Sequence, residues 1–268
     1  MKIFRGKKIS FERIKREWRR RFASLARQDC PPNEKIMNAS RLNQREATTI
    51  PLLALLFVSA AGATLIGLRV ASTGQLKYLA LVWNLFLAWM PLLLALGVCR
   101  QYRTGARGGW KLYSLAALWL LFFPNAPYIF TDLIHLNGWF RGHYWADLML
   151  ILLVAMTGFL LGFLSLYLMH SVVADRLGRL AGWGFILVVA GLSGFGIYLG
   201  RIRRWNSWDV LVHPAGVSHD IGRIAAHPLA NAGSMAFAAL FATFLFLGYL
   251  MLYALTHLQP NQRLERAV

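Results

Sequence analysis

Charge is scarce in this chain. Of 268 residues only 15% are charged, against about 25% in soluble domains. Hydrophobic residues make up 57%, and the mean hydropathy is +0.47. This excludes a disordered or fibrous protein and points to several membrane spans. Cysteine is nearly absent. Cys30 and Cys99 are the two present and neither lies in a CxxC motif, which argues against a disulfide scaffold and against a zinc or redox site built on thiolates. The first ~45 residues hold no apolar run of the length a signal peptide needs, so no cleavable leader is visible. The soluble-enzyme fingerprints GxGxxG, GxxxxGK[ST] and GxSxG are missing as well. The sequence therefore names no reaction.

Acidic residues are few: 11 against 29 Lys and Arg, a net charge of +18. In a soluble chain this would suggest nucleic acid. Between membrane spans, basic segments instead favour the cytoplasmic side, and no nucleic-acid partner is expected.

What the chain does have is long charge-free stretches. They lie between Glu46 and Arg69, Lys77 and Arg100, Lys111 and Asp132, Asp147 and Asp175, Arg179 and Arg201, and Arg223 and Arg263. Each is long enough for a helix to cross ~30 Å of hydrocarbon. The predicted fold is an all-α polytopic helix bundle with six spans, about 50–68, 78–99, 112–130, 148–169, 181–199 and 235–256. Short gaps and the lack of period-2 alternation argue against a β-barrel. Placing the N-terminus inside puts 22 Lys and Arg on inside segments and 7 on outside ones, which predicts an N-in, C-in topology.

Residues 1–49 form a basic cytoplasmic tail, and residues 257–268 a second, short one. In the first, Phe11, Ile14, Trp18, Phe22 and Leu25 recur at helical spacing among arginines and lysines. That pattern predicts an amphipathic helix, with Ser10 as its N-cap, lying on anionic inner-leaflet lipids.

The third span is interrupted by Pro124 and Pro127. Two prolines three apart remove backbone donors, and the freed carbonyls need partners inside the membrane. Asn125 is a candidate partner, and broken helices often line polar cavities. After the break, Tyr128, Asp132 and His135 fall at i, i+4 and i+7, one face of an α-helix. His143 and Asp147 follow at i, i+4. Asp132, His135, His143 and Asp147 are residue types that can hold a divalent metal or act as acid and base, although their spacing matches no strong metal signature.

The segment after the fifth span begins Gly200-Arg201-Ile202-Arg203-Arg204-Trp205-Asn206-Ser207-Trp208-Asp209. Three arginines at a predicted outer boundary run against the positive-inside trend, and arginine grips phosphate or carboxylate through a planar fork. Trp205 and Trp208 suit the headgroup zone. A short helix capped at Asn206 or Ser207 and ended by Pro214 is expected, then a second one capped by Ser218. Five of the seven histidines, and four of the six acids beyond the tail, fall on the outer side of this topology. The fifth span is glycine-rich, and Ala190/Gly194 and Gly196/Gly200 have the small-xxx-small spacing of close helix contact.

Together these features suggest one outer site, provided that spans three, four and five are neighbours. Asp132, His135 and Asp209 are its candidate catalytic residues. Arg201, Arg203, Arg204, Asn125, Asn206, Tyr128 and Trp208 are its candidate substrate-binding residues. A divalent metal at His143 and Asp147, with Asp132 and His135, is the one cofactor these residue types suggest.

Residues 123–135 (Phe-Pro-Asn-Ala-Pro-Tyr-Ile-Phe-Thr-Asp-Leu-Ile-His) and 200–209 resemble the signature segments of a bacterial multi-spanning family, domain of unknown function 1361. The resemblance extends over about residues 50–256. It implies a bacterial inner-membrane protein and carries no activity with it. Three functions remain open: a protein that binds or processes an anionic lipid-linked or envelope substrate at the outer leaflet, a small transporter with a pathway along the broken third span, and a non-catalytic scaffold or assembly protein.

Overall fold

A computed structural model of the chain describes residues 34–104, 109–136, 144–227 and 230–256. The amphipathic helix expected at residues 10–25 and the tail from residue 257 lie outside them. The chain divides into two compact units, residues 1–54 and 55–268. The described part of the first, residues 34–54, is helical. The second is a helix bundle, and among the described residues there is no strand.

Six helical segments are long and apolar enough to cross a membrane. Helix α1 (Glu34–Thr73) contains the first of them, Ile50–Thr73. A short 3-10 turn, Leu76–Tyr78, leads into α2 (Leu79–Arg103). The third span is composite: α3 (Trp110–Phe122), the four-residue α4 (Asn125–Tyr128) and a 3-10 helix, Ile129–His135. Then come α5 (Tyr144–Leu177), α6 (Arg179–Arg201), the short α7 (Asp209–Val212), α8 (Pro214–Ala226) and α9 (Ala232–Thr256).

Chain geometry sets the stops. Gly178 adopts φ +93 between α5 and α6, a left-handed conformation that only glycine enters cheaply. One residue thus reverses the chain and makes α5 and α6 antiparallel neighbours. Pro214 supplies the first turn of α8, where its missing N–H costs nothing. The second short helix therefore starts there and not at Ser218, whose hydroxyl lies within the helix and donates to the Ala215 carbonyl at 3.1 Å.

The bundle core is formed by α2, α3, α5, α6 and α9. Buried Ala95, Val98, Leu112, Trp119, Phe123, Leu166, Met169, Ile186, Val189 and Tyr249 make one cluster. Small residues bring the backbones close, as expected where lipid supplies no hydrophobic drive between helices. A Cβ on Gly194 would lie 2.2 Å from the Ala238 carbonyl oxygen, so α6 and α9 touch backbone to backbone. The partner of the α6 glycine stripe is therefore another span of the same chain.

The glycines also seat the break in the third span. A Cβ on Gly158 would meet the Ala126 carbonyl at 2.7 Å, and one on Gly162 would meet the Ala126 Cβ at 3.0 Å. From the α6 side, Gly196 faces Pro124 at 3.0 Å and Gly200 faces the Tyr128 ring at 3.2 Å. The kink is clamped between α5 and α6, which makes spans three, four and five neighbours.

Candidate functional site

The two prolines rearrange the helix locally. Ala126 donates to the Phe123 carbonyl at 3.2 Å, a 3-10 bond, and leaves the Phe122 carbonyl without its i+4 donor. The Asn125 side-chain amide fills that gap at 3.0 Å, and also reaches the Ser207 hydroxyl at 3.0 Å. One side chain therefore repairs the broken helix and ties it to the segment after α6. The chain then continues as a 3-10 helix, three residues per turn, so the α-helical spacing expected for Tyr128, Asp132 and His135 does not apply.

Arg201 closes the arrangement. It donates to Asp132 Oδ1 at 3.0 Å and lies 3.5 Å from the Tyr128 hydroxyl, with its guanidinium 5.8 Å from the Tyr128 ring centroid. The Asn84 amide on α2 donates to the other carboxylate oxygen at 2.8 Å. Asp132 is buried, and a charge there requires such partners. This network joins α2, the third span and α6 at one end of the bundle.

Arg203 donates through Nε and a terminal nitrogen to both oxygens of Asp220 on α8, and the Trp205 indole donates to Asp220 at 2.9 Å. These bonds hold the Asp220 carboxyl down to about 2. The same pairing raises Arg203 above its ordinary value. Asp209 accepts from the Asn206 backbone N–H at 2.6 Å and from its side-chain amide at 3.2 Å. The N-cap of α7 is Trp208, not Asn206 or Ser207 as expected, because the chain turns into the helix two residues later.

Arg204 differs from its neighbours. It is exposed, makes no ion pair with any described residue, and sits at φ +63. The amide of the next residue, Trp205, donates to the Leu199 carbonyl at 3.1 Å and closes the turn that ends α6.

Between α2, α3, α6 and the α7–α8 segment lies a cleft of about 540 Å³, within the roughly 300–1,000 Å³ of ligand sites. Its walls are apolar: Leu87, Leu120, Leu121, Leu192, Phe195 and Leu199. Asn84, Asn125, Tyr128, Asn206 and Ser207 supply its polar lining, and Val210, Val217 and Ile221 close it on the α7–α8 side. Trp208 stands beside it, edge-on to the cleft residue Trp83 with ring centroids 6.3 Å apart.

The expected metal group is not assembled among the described residues. Asp147 is fully buried and accepts a two-pronged bond from Arg69, at 2.7 and 2.8 Å, with the Tyr78 hydroxyl at 3.3 Å. His143 and the His135 side chain lie outside the described residues.

Asn84, Ser207, Arg69 and Tyr78 were not legible as site or anchor residues. Asn84 and Tyr78 leave no pattern in their apolar runs, Arg69 reads as the end of a span, and Ser207 only as a helix cap. The buried His170–Tyr249 contact at 2.6 Å, between α5 and α9, escaped for the same reason as Asn84 and Tyr78.

A family model described as protein of unknown function (DUF1361) matches residues 83–247. That is more than half of the chain, and the protein belongs to this family. The match is narrower than the resemblance read from the sequence: it leaves out the first span but includes Asn84, Asn125, Tyr128, Asp132, Arg201, Arg203 and Asp220. No curated protein and no solved structure matches the chain.

Proposed function

For this member of a multi-spanning membrane family of unknown function, we propose that the cleft is a binding site for an anionic, lipid-linked substrate at the outer face of a bacterial cytoplasmic membrane. The observation that carries the reading is the composition of the cleft. Five leucines and Phe195 give it apolar walls, while Asn84, Asn125, Tyr128, Asn206 and Ser207 supply polar groups, Asn125 and Ser207 being hydrogen-bonded to each other at 3.0 Å. An amphipathic molecule fits that division, its chain against the leucines and its head against the amides and hydroxyl.

The arginines divide their roles. Arg201 and Arg203 are each held by a carboxylate, so they shape the site. Arg204 follows directly on that pair and precedes the cleft residues Trp205, Asn206 and Ser207. It is the cation left to meet an anionic head. The Lys and Arg distribution supports an outer location.

The test is lipid binding by native mass spectrometry on the purified full chain. Phosphatidylglycerol should bind better than phosphatidylcholine, and Arg204→Gly should lower that preference about tenfold, a loss of about 1.4 kcal/mol. Glycine suits a left-handed backbone, so this variant removes the charge while keeping the turn. Equal binding of the two lipids, or an unchanged preference in Arg204→Gly, overturns the proposal.

A further inference from the structure

The cleft has a side entrance. Its α2, α3 and α6 wall residues belong to segments long and apolar enough to span a membrane, and some of them are exposed. Ala117 on α3 is exposed, and so is Leu192 on α6, at 49%. Trp83 on α2 is 52% exposed. Ala117 and Leu192 lie well inside their spans, on facing walls of the cleft, where the surface around the protein is hydrocarbon and not water. Helices α3 and α6 meet through Trp119 and Phe185, whose rings stack with centroids 5.8 Å apart. Ala117 and Leu121 on α3, and Leu192 and Phe195 on α6, line the cleft.

The side formed by α8, which is not one of the apolar spans, is covered. Helix α8 places Val217 and Ile221 in the cleft wall, and Gly216 lies against the Trp205 ring, with only 2.9 Å left for a Cβ. Asp220 then fastens the helix to Arg203 and Trp205. A hydrocarbon chain arriving from water would have to displace this cover. One arriving from the bilayer crosses only apolar side chains, between surfaces already in lipid.

We infer that the substrate enters sideways: a bilayer lipid slides an acyl chain between α3 and α6 while its headgroup turns toward Asn125, Asn206 and Ser207. The inference rests on the binding site proposed above and names how that site is loaded. Its occupant is a membrane lipid and not a free soluble phosphate.

The test uses the purified full chain in phosphatidylcholine vesicles containing phosphatidylglycerol with a diazirine on its acyl chain. After illumination, adducts are mapped by peptide mass spectrometry. Leu87 is 8% exposed and on the inner wall of the cleft, out of reach of lipid that merely surrounds the protein. Adducts are expected at Leu87 and Leu199. Ala117→Trp and Leu192→Trp, which fill the entrance from opposite sides, should each lower them at least fivefold. Adducts at the outward-facing Leu240 and Phe244 should not change. Both substitutions are at exposed positions, and two of them keep the test readable if one variant misfolds. Adducts confined to outward-facing residues, or inner adducts undiminished in both variants, overturn sideways entry. Isothermal titration with glycerol phosphate reads the polar end alone. Arg204-dependent binding of it without inner adducts leaves the polar site standing and removes lipid entry, whereas loss of both removes the two together.

Discussion

Arg201, the last residue of α6, donates to Asp132 in the 3-10 segment of the third span, and both side chains are largely buried. Two sequence-distant signature segments thus meet in one ion pair. Removing one member of a buried pair leaves the other charge uncompensated, at a cost of about 3–5 kcal/mol. Asp132→Ala and Arg201→Ala should each lower the melting temperature in detergent, whereas the double alanine variant should lose less than the two together. A double variant as unstable as the sum of the single ones would show that the pair is not coupled.

The α6–α9 contact makes a sharper prediction. With 2.2 Å between a hypothetical Cβ on Gly194 and the Ala238 carbonyl oxygen, the obstacle is backbone and cannot rotate aside. Gly194→Ala should therefore destabilise by at least the roughly 1–3 kcal/mol of an overpacked core. Gly184, on the same helix, has open space around it, and Gly184→Ala should be neutral or slightly stabilising. Thermal denaturation of the two variants side by side checks this, and equal effects would contradict it.

The attachment of α8 depends on pH in a defined direction. Arg203 first, and Trp205 second, depress the Asp220 carboxyl to about 2, against an ordinary aspartate near 3.9. A depressed acid contributes stability that is complete above the unfolded value and is lost as pH falls through the folded one. Amide hydrogen exchange in α8, corrected for its intrinsic pH dependence, should show constant protection between pH 5 and 8. Protection should decline only between about pH 4 and 2. Asp220→Asn should weaken it across the whole range. A transition near neutral pH would contradict this assignment.

Much of the architecture was legible because charge is so expensive in hydrocarbon. The six apolar stretches, the all-helical class and the interruption at Pro124 follow from sequence alone. Reading charges as span ends, however, shortened the helices. Arg69 lies inside α1 and Asp147 inside α5, because each neutralises the other across the bundle. Such a pair is invisible when residues are read one at a time. Candidate-site residues were legible individually, as arginines and acids in unusual places. Their division into bonded and free members was not: it depends on tertiary partners such as Asn84 and Asp220, which no local pattern announces.

The central claim is that the cleft and its arginine segment face the outside of the membrane. Its most direct test is single-cysteine labelling in intact cells, with Cys30 and Cys99 replaced by alanine. Cysteines at Arg204 and Ile134, both exposed, are treated with a membrane-impermeant maleimide, with Thr104, at the opposite end of α2 from Leu79, as the control. The account predicts that positions 204 and 134 react from outside and that position 104 reacts only after the cells are opened. Reaction at 104 from outside, with 204 and 134 protected, would invert the topology and contradict an outer-face site.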